Sequence, residues 1–284
     1  MRDYRVHTAA VLAACAALAA ATGPAATATP APPLEQACGH LATCDLATQA
    51  AAVDAYLATR PGTIGYVVRD RVTGALYRNA AADTRMWTAS TIKLAIAVDL
   101  LQRARAGALT LTPADRERMD AMLVDSDNDA TDALWDTYSG PDRLAFDNDF
   151  PRYGMTGLVA EPSSDRAYPY WGFEQCTPAD LDRLMNTVLT GIHPDDRAYL
   201  LDRMRNVGPD QRWGMWGAGP DMRPGVKNGW SEEDSGWVTN SVGFAGPGER
   251  YTLAIMNSLG PDGGFDDGSQ TTTQVAEILF GDQS

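Results

Sequence analysis

The stretch TASTIKLA, residues 88–95, contains one of only two lysines in a chain that has 23 basic residues. All the others are arginine, so a lysine three positions after Ser90 calls for a chemical reason. Apolar residues recur at helical spacing over residues 90–106, which predicts a helix there. Positions i and i+3 lie on one face of a helix, so Lys93 would reach the Ser90 hydroxyl.

A serine next to an amine of this kind is suited to nucleophilic catalysis. A serine hydroxyl is a poor nucleophile until a base takes its proton. Burial and a neighbouring positive charge lower the pKa of a lysine, so Lys93 could be that base near neutral pH, whereas an arginine keeps its proton. The first N–H groups of the helix would also favour a developing oxyanion. Alone, the pair equally fits two neighbours on the surface of a helix.

The order of elements predicts a fold that mixes helices and strands (α/β in the broad sense, and α+β because the sheet is antiparallel). The strand-like segments lie near both ends: residues 63–70, 75–78, 225–227, 237–244 and 251–257. Helical patterns lie on both sides of a long loop (150–173) within residues 90–205, and further helices are predicted for residues 45–58 and 269–280. We therefore expect an antiparallel sheet built from both chain ends and flanked by the terminal helices. An all-helical subdomain (about 90–205) would be inserted into the α/β subdomain (45–89 and 206–284).

Two further motifs narrow the function. Ser126-Asp127-Asn128 falls in a segment that we interpret as helical, and Lys227-Asn228-Gly229-Trp230 follows a strand-like approach and contains the second lysine. In this order, the three motifs resemble the Ser-x-x-Lys, Ser-Asp-Asn and Lys-Thr-Gly motifs of the serine β-lactamase and penicillin-binding protein superfamily. The chain is most similar to class A β-lactamases over about residues 45–281, which implies a β-lactamase/transpeptidase-like fold.

The resemblance implies catalytic roles. Ser90 would be the acylated nucleophile, Lys93 would activate it, and Ser126 would relay a proton to the leaving nitrogen. Glu161, in a long loop and 16 residues before the helix start at Thr177, would activate the water that hydrolyses the acyl-enzyme. Glu174 is the alternative candidate for that last role.

The resemblance also implies a set of substrate-binding positions. Asn128 would bind the substrate amide and Lys93, Lys227 would attract the substrate carboxylate, and Asn228 would donate to that carboxylate. Gly229 belongs to the same motif, and the N–H groups of Ser90 and Trp230 would form the oxyanion hole.

Three departures from the family pattern cast doubt on efficient antibiotic hydrolysis. Lys-Asn-Gly replaces Lys-Thr-Gly, Ser164-Asp165 replaces the Leu-Asn that usually follows the loop glutamate, and the interval between Ser90 and Ser126 is short. The short interval implies that part of the helical lining of the cleft entrance is missing.

The N-terminus has the pattern of an export signal. Residues 1–28 combine two arginines, an apolar run and an A-x-A site, which predicts a signal peptide and a secreted protein. Cys15 ends a lipobox-like stretch, so a lipid-anchored form is the alternative. Residues 29–44 read as a disordered lead-in in which Cys38 and Cys44 could form a small disulfide loop, which would leave Cys176 unpaired.

Composition excludes several partners. A net charge of −14 argues against binding to nucleic acid or to anionic lipid. We expect no metal, no cofactor, no membrane span after signal cleavage, and a monomer. The late tryptophans and the loop aromatics of residues 168–171 are interpreted mainly as packing, although either group could line a pocket. The acidic turn at residues 262–267 is interpreted as a solvated loop rather than a calcium site.

Three functions remain open at this point. The first is β-lactam amide hydrolysis through a Ser90 acyl-enzyme. The second is a peptidoglycan D-Ala-D-Ala peptidase, or another amide or ester hydrolase, which uses the same acylation. The third is a non-catalytic protein that binds β-lactams or the cell wall. The expected partner is a β-lactam or a cell-wall peptide in each case.

Overall fold

A computed structural model describes residues 46–163 and 166–281 of the chain. The predicted signal peptide (1–28) and lead-in (29–44), with Cys15, Cys38 and Cys44, lie outside the described residues. So do residues 164–165, where the sequence departs from the family pattern.

Five antiparallel strands form the main sheet in the order β2-β1-β8-β7-β6. The first two strands come from the N-terminal part of the chain and the other three from the C-terminal part, which confirms the predicted assembly from both ends. The bounds are β1 Thr63–Asp70, β2 Leu76–Arg78, β6 Gly225–Glu233, β7 Gly236–Ala245 and β8 Tyr251–Gly260. Consequently β6 has a strand neighbour on one side only.

A second sheet is small and has the order β3-β5-β4. Its strands are β3 Met86–Trp87, β4 Val159–Ala160 and β5 Glu174–Cys176. The strand β3 immediately precedes Ser90, so this sheet ties the predicted nucleophile to the long loop of residues 150–173.

Eight α-helices complete the described chain. The bounds are α1 Leu46–Leu57, α2 Ile92–Arg105, α3 Pro113–Val124, α4 Asn128–Tyr138, α5 Ala145–Asp149, α6 Pro178–Thr190, α7 Pro194–Arg205 and α8 Phe265–Phe280. Short 3₁₀ turns lie between them. The last helix begins four residues before the predicted start, because Asp267 accepts from the Gly264 N–H at 3.0 Å and caps the first turn. Part of the predicted acidic loop is therefore helical.

The two faces of the main sheet belong to two apolar cores. On β8, Leu253 and Ile255 pack with the terminal helices α1 and α8, whereas Ala254 and Met256 pack with α2 and α6. This alternation is the period of a strand that is covered on both faces. The arrangement confirms an α+β fold in which helices flank the sheet.

The helix α2 lies in the middle of the larger core. Every residue from Ile92 to Leu101 is buried, although the sequence pattern predicted one apolar face. A helix that is covered on all sides must find partners for its polar residues. Asp99 accepts from Arg103 and from the Tyr153 hydroxyl, each at 3.0 Å, and Lys93 is the other polar group.

Two helices begin with the same kind of cap, and one of these starts, at Thr177, was predicted from the sequence. Thr112 and Thr177 each form a capping box with the aspartate three residues later, and a proline directly follows each threonine in the first turn. In α6, the buried Asp180 also accepts from the Gly157 N–H at 2.9 Å and from Arg183. This carboxylate therefore anchors the loop of residues 154–163 as well as the helix start.

No helix among the described residues is long and apolar enough to cross a membrane.

We expect Asp180→Asn to lower the free energy of unfolding by about 2 kcal/mol, because it removes the charge of a buried carboxylate that accepts from the Gly157 N–H and from the partly exposed Arg183. The matched variant Thr177→Ala removes only the cap and should cost about 1 kcal/mol. Urea unfolding of both variants measures the difference. Equal losses would mean that the contacts of Asp180 with Gly157 and Arg183 contribute nothing.

Candidate active site

The predicted nucleophile Ser90 lies in a 3₁₀ turn, Ala89–Thr91, that runs directly into α2. Thr88 fixes this turn to the second sheet, because its N–H and its hydroxyl both donate to the Glu174 carbonyl, at 2.9 and 3.1 Å. Ala89 adopts a φ of 43°, which is unfavourable for a residue with a Cβ. Such backbone strain is often found at functional sites.

The Ser126-Asp127-Asn128 motif lies at the junction of α3 and α4, and only Asn128 is helical. The expectation that the whole motif lies within a helix is wrong, because Ser126 has a φ of 57° and Asp127 caps α4 through the Ala130 N–H at 2.6 Å. A capping aspartate favours extended backbone and separates two helices. The left-handed turn presents both the carbonyl and the hydroxyl of Ser126 to Lys93.

Lys93 is the centre of the site. Its Nζ donates to the Ser126 carbonyl and to Asn128 Oδ1, both at 2.6 Å, and lies 3.4 Å from Ser126 Oγ. The centroid of the Trp171 ring lies 4.7 Å from the same nitrogen. The Lys93 side chain has no exposure to solvent.

Lys227 approaches Ser126 from strand β6. Its Nζ donates to Ser126 Oγ and to the Asn228 carbonyl, each at 2.9 Å. The hydroxyl of Ser126 therefore lies between the two lysines of the chain. This geometry suits a hydroxyl that gives up a proton and regains one.

The third motif also contacts the nucleophile. A Cβ at Gly229 would lie 2.7 Å from the backbone nitrogens of Ser90 and Thr91, so strand β6 packs directly against the 3₁₀ turn. Trp230 follows on this edge strand. The three predicted motifs thus converge, and the N–H groups assigned to the oxyanion hole belong to neighbouring segments.

Burial lowers the pKa of Lys93 to about 7, although the charges of Asp127 and Asp132 oppose the shift. Burial also lowers the pKa of Lys227 well below its ordinary value, and the charge of Lys93 adds to this effect, while Asp210 opposes it. Two buried amines in one site disfavour each other's protonation. Neutral Lys93 is therefore available near neutral pH as a base.

Comparison with known proteins identifies the family of the chain. A model of the β-lactamase enzyme family matches residues 48–114. Proteins of Mycobacterium tuberculosis and Mycobacterium bovis that are named "Putative lipoprotein LppW" are 33% identical over 234 residues, which cover 77% of this chain and 69% of theirs. The chain belongs to the β-lactamase enzyme family.

Solved structures of class A β-lactamases share its fold. A β-lactamase from Xanthomonas campestris pv. campestris has a TM-score of 0.67 at 19% identity, over 83% of this chain and 96% of its own. An ancestral class A β-lactamase has a TM-score of 0.66 at 20% identity, over 83% of this chain and 98% of its own. The predicted β-lactamase-like family and fold are confirmed.

One member of the family motif does not point where the sequence suggested. The Asn228 amide donates to the carbonyls of Gln211 and Trp213, at 2.8 and 3.2 Å, and the residue is buried. Successive side chains of a strand point to opposite faces, so Asn228 and Lys227 diverge. The expectation that Asn228 donates to a substrate carboxylate is wrong for this conformation, because both of its N–H groups are in use.

The predicted deacylating carboxylate is separate from this cluster. Glu161 follows β4, and its N–H donates to the Phe173 carbonyl at 2.7 Å. Within residues 46–163 and 166–281, its carboxylate forms no hydrogen bond with Lys93, Ser90 or Ser126. The loop side chain that lies against Lys93 is Trp171 instead, so the role of Glu161 stays a prediction without a supporting contact.

The alternative carboxylate, Glu174, is fully buried and next to Asp147. Burial, followed by the charge of Asp147, raises the pKa of Glu174, and burial also raises the pKa of Asp147. Both Glu174 oxygens lack a donor among the described residues, so a shared proton is the natural way to join the pair. A protonated Glu174 cannot accept a proton from water.

Sequence reasoning missed two residues at the site. Trp171 belongs to the aromatic stretch that was assigned mainly to packing. Asp132, one helical turn after Asn128 on α4, accepts from Trp171 Nε1 at 2.7 Å and from the Tyr170 hydroxyl at 2.6 Å. The i to i+4 spacing from Asn128 was the available signal for Asp132.

The remaining tryptophans behave as packing. Trp213, Trp230 and Trp237 surround Phe265, with ring centroids 5.7 to 6.1 Å from it. Cys176 is a buried free thiol whose Sγ lies 3.9 Å from Met256 Sδ. In the part of the chain that the structure describes, no group of three His, Cys, Asp or Glu residues could hold a metal ion.

The two lysines permit a direct test of the site's electrostatics. A lysine-selective ¹³C label gives two side-chain signals, and Lys93→Arg assigns them. We expect a titration midpoint of about 7 for Lys93 and one below the ordinary 10.5 for Lys227. Two midpoints near 10.5 would contradict the burial that the structure shows.

Glu174 makes stability depend on pH. The pKa of Glu174 in the folded protein lies above its value of about 4.3 in the unfolded chain. Its contribution to the free energy of unfolding is therefore complete below about pH 4.3 and is lost as pH rises toward the folded pKa. We expect Glu174→Gln to reduce the loss of unfolding free energy between about pH 5 and 9, relative to the wild type. The exposed Glu232→Gln is the control. Parallel curves for wild type and Glu174→Gln would rule out the buried proton.

Proposed function

We propose that the protein is an exported serine hydrolase that opens β-lactam amides through an acyl-enzyme at Ser90. The observation that carries the proposal is the hydroxyl of Ser126 held between Lys93 and Lys227, with Gly229 packed against the backbone of Ser90. The proposal rests on this arrangement of side chains and not on the fold, since one fold can host many functions.

In this proposal Lys93 acts on Ser90, although among the described residues its Nζ is hydrogen-bonded to Ser126 and Asn128 and not to the Ser90 hydroxyl. Neutral Lys93 accepts the proton of Ser90, and Ser90 Oγ bonds to the carbonyl carbon of the lactam. The negative charge on the carbonyl oxygen is stabilised by the N–H groups of Ser90 and Trp230. The C–N bond then breaks, and the nitrogen takes a proton from Ser126 Oγ. A neighbouring lysine amine then donates a proton to Ser126 Oγ and restores its hydroxyl.

The substrate would be positioned by two further residues. Lys227 attracts the carboxylate, and an anion next to it would restore its protonation. The Asn128 oxygen is used by Lys93, so its amide nitrogen is the group left to bind the substrate amide. Asn228 contributes indirectly, because its hydrogen bonds to the Gln211 and Trp213 carbonyls fix residues 211–213 against β6.

Hydrolysis of the acyl-enzyme is the step with the weakest support. The sequence assigns it to Glu161, whereas Trp171 lies at Lys93. This contact favours a second candidate: a D-Ala-D-Ala peptidase, or another amide or ester hydrolase of the same fold, in which a penicilloyl group on Ser90 persists. The third hypothesis, a non-catalytic binding protein, predicts no covalent bond to Ser90.

Export is part of the proposal. It is supported by the signal-peptide pattern of residues 1–28 and by the word lipoprotein in the name of the mycobacterial relatives. That name also favours the lipobox at Cys15. Fatty-acid labelling of the wild type and of Cys15→Ala would separate an anchored protein from a secreted one.

Intact mass measured over time with a penicillin tests the central claim. We expect the mass to rise by one penicillin, faster as pH increases through about 7, because Lys93 must be neutral. Ser90→Ala should give no adduct, and Lys93→Arg should slow its formation by at least about 100-fold. Fast return to the free mass supports hydrolysis, whereas a persistent adduct supports the peptidase-like candidate.

An unchanged wild-type mass, together with no consumption of any penicillin, cephalosporin or acyl-D-Ala-D-Ala ester tried, would refute acylation at Ser90. It would leave the binding-protein hypothesis.

A further inference from the structure

We infer that Trp171 is a positioning residue for this site: its indole ring covers Lys93, keeps water away from the amine and thereby prolongs the life of a Ser90 acyl-enzyme. The inference rests on the proposed function for its kinetic consequence. Its effect on Lys93 can be measured without any substrate.

The ring completes the surroundings of the amine. Lys93 Nζ donates to the Ser126 carbonyl and to Asn128 Oδ1, and the ring of Trp171 lies 4.7 Å from it. An ammonium group has three N–H donors and no acceptor, and an aromatic face attracts it. Trp171 is 5% exposed and Lys93 is 0% exposed, so the ring is the wall that excludes solvent on the loop side.

The ring is held in place by the helix that also holds Lys93. Trp171 Nε1–H donates to Asp132 Oδ1 at 2.7 Å, and the Tyr170 hydroxyl donates to the same atom at 2.6 Å. Arg166 lies 3.4 Å from the other oxygen of Asp132. Asn128 and Asp132 are one turn apart on α4, so a single helix face binds both the amine and the ring that covers it.

This wall cannot activate water. Hydrolysis of the ester requires a water oxygen to attack the acyl carbon, a base to accept a water proton, and Ser90 Oγ to leave and regain a proton. The indole N–H is a donor only and points to Asp132, and the ring face has no lone pair to accept the proton. Asp132 is occupied by three donors, and Glu174 is buried with Asp147.

The first experiment measures the Lys93 midpoint with the two-signal lysine label. In Trp171→Ala, water reaches the amine, and we expect the Lys93 midpoint to rise by about one pH unit or more, since loss of burial outweighs loss of the ring contact. Trp171→Phe keeps a ring at the site and should shift it less. Trp237→Phe, in the separate aromatic cluster around Phe265, should leave it unchanged.

The second experiment measures the lifetime of the acyl-enzyme by intact mass after removal of free penicillin. At a pH above the Lys93 midpoints of both proteins, where the amine is neutral in each, we expect Trp171→Ala to shorten it by about tenfold or more, because a water can then lie beside a neutral Lys93 that accepts its proton. Asp132→Asn, which keeps the ring but weakens its anchor, should give an intermediate lifetime. Thermal unfolding of each variant establishes that it is folded at the assay temperature.

The outcomes separate the inference from the proposed function. A folded Trp171→Ala with an unchanged Lys93 midpoint overturns the inference. So does a wild-type acyl-enzyme that is hydrolysed as fast as that of Trp171→Ala, although that result would support the proposed function. Absence of any Ser90 adduct together with absence of substrate turnover refutes the proposed function, and the Lys93 midpoints would still decide whether Trp171 controls the amine.

Discussion

The Ser126 hydroxyl between two buried amines is the interaction on which the site depends. Lys93 and Lys227 are both removed from solvent, and unpaired charges are costly in such a place. The protein meets this cost by making the amines easier to deprotonate and by giving Lys93 two oxygen acceptors at 2.6 Å. A group that is expensive to keep charged is also a group that can take a proton from a neighbour.

The same requirement explains why distant segments must be held so firmly. Lys93 is on a helix that is buried on every side, Ser126 is in a left-handed turn between two helices, and Lys227 is on the edge strand of the main sheet. Each element has a local anchor, namely the threonine contacts at Ser90, the aspartate cap of α4 and the pairing of β6 with β7. The site is therefore a product of the packing between the helices and the sheet.

Much of this could be predicted from the sequence, because the signals were local. Strand-like segments near both chain ends predicted the sheet, and the helix start at Thr177 was predicted as well. Three short motifs gave the residues that converge. The Ser-Asp-Asn motif was misplaced because helical residues surround it, and a cap inside such a run is visible only when two helices are seen to change direction.

The remainder depended on long-range contacts that no local pattern carries. The direction of Asn228 is set by two carbonyls 15 and 17 residues away. Trp171 contacts Lys93 although the two residues are 78 positions apart in the chain. The spacing argument that favoured Glu161 cannot predict which side chain of the loop faces Lys93. Glu174 looked like an alternative base until its burial next to Asp147 was known.

Gly229 shows how little room the nucleophile's surroundings leave for drift. A single methyl group there would overlap two backbone nitrogens of the 3₁₀ turn that contains Ser90, and the atoms in its way belong to the main chain and cannot rotate aside. The neighbouring Asn228 is held by hydrogen bonds that another donor could replace. Among distant relatives, a glycine at this position would therefore mark the chains in which strand β6 can still pack against the turn that contains the serine.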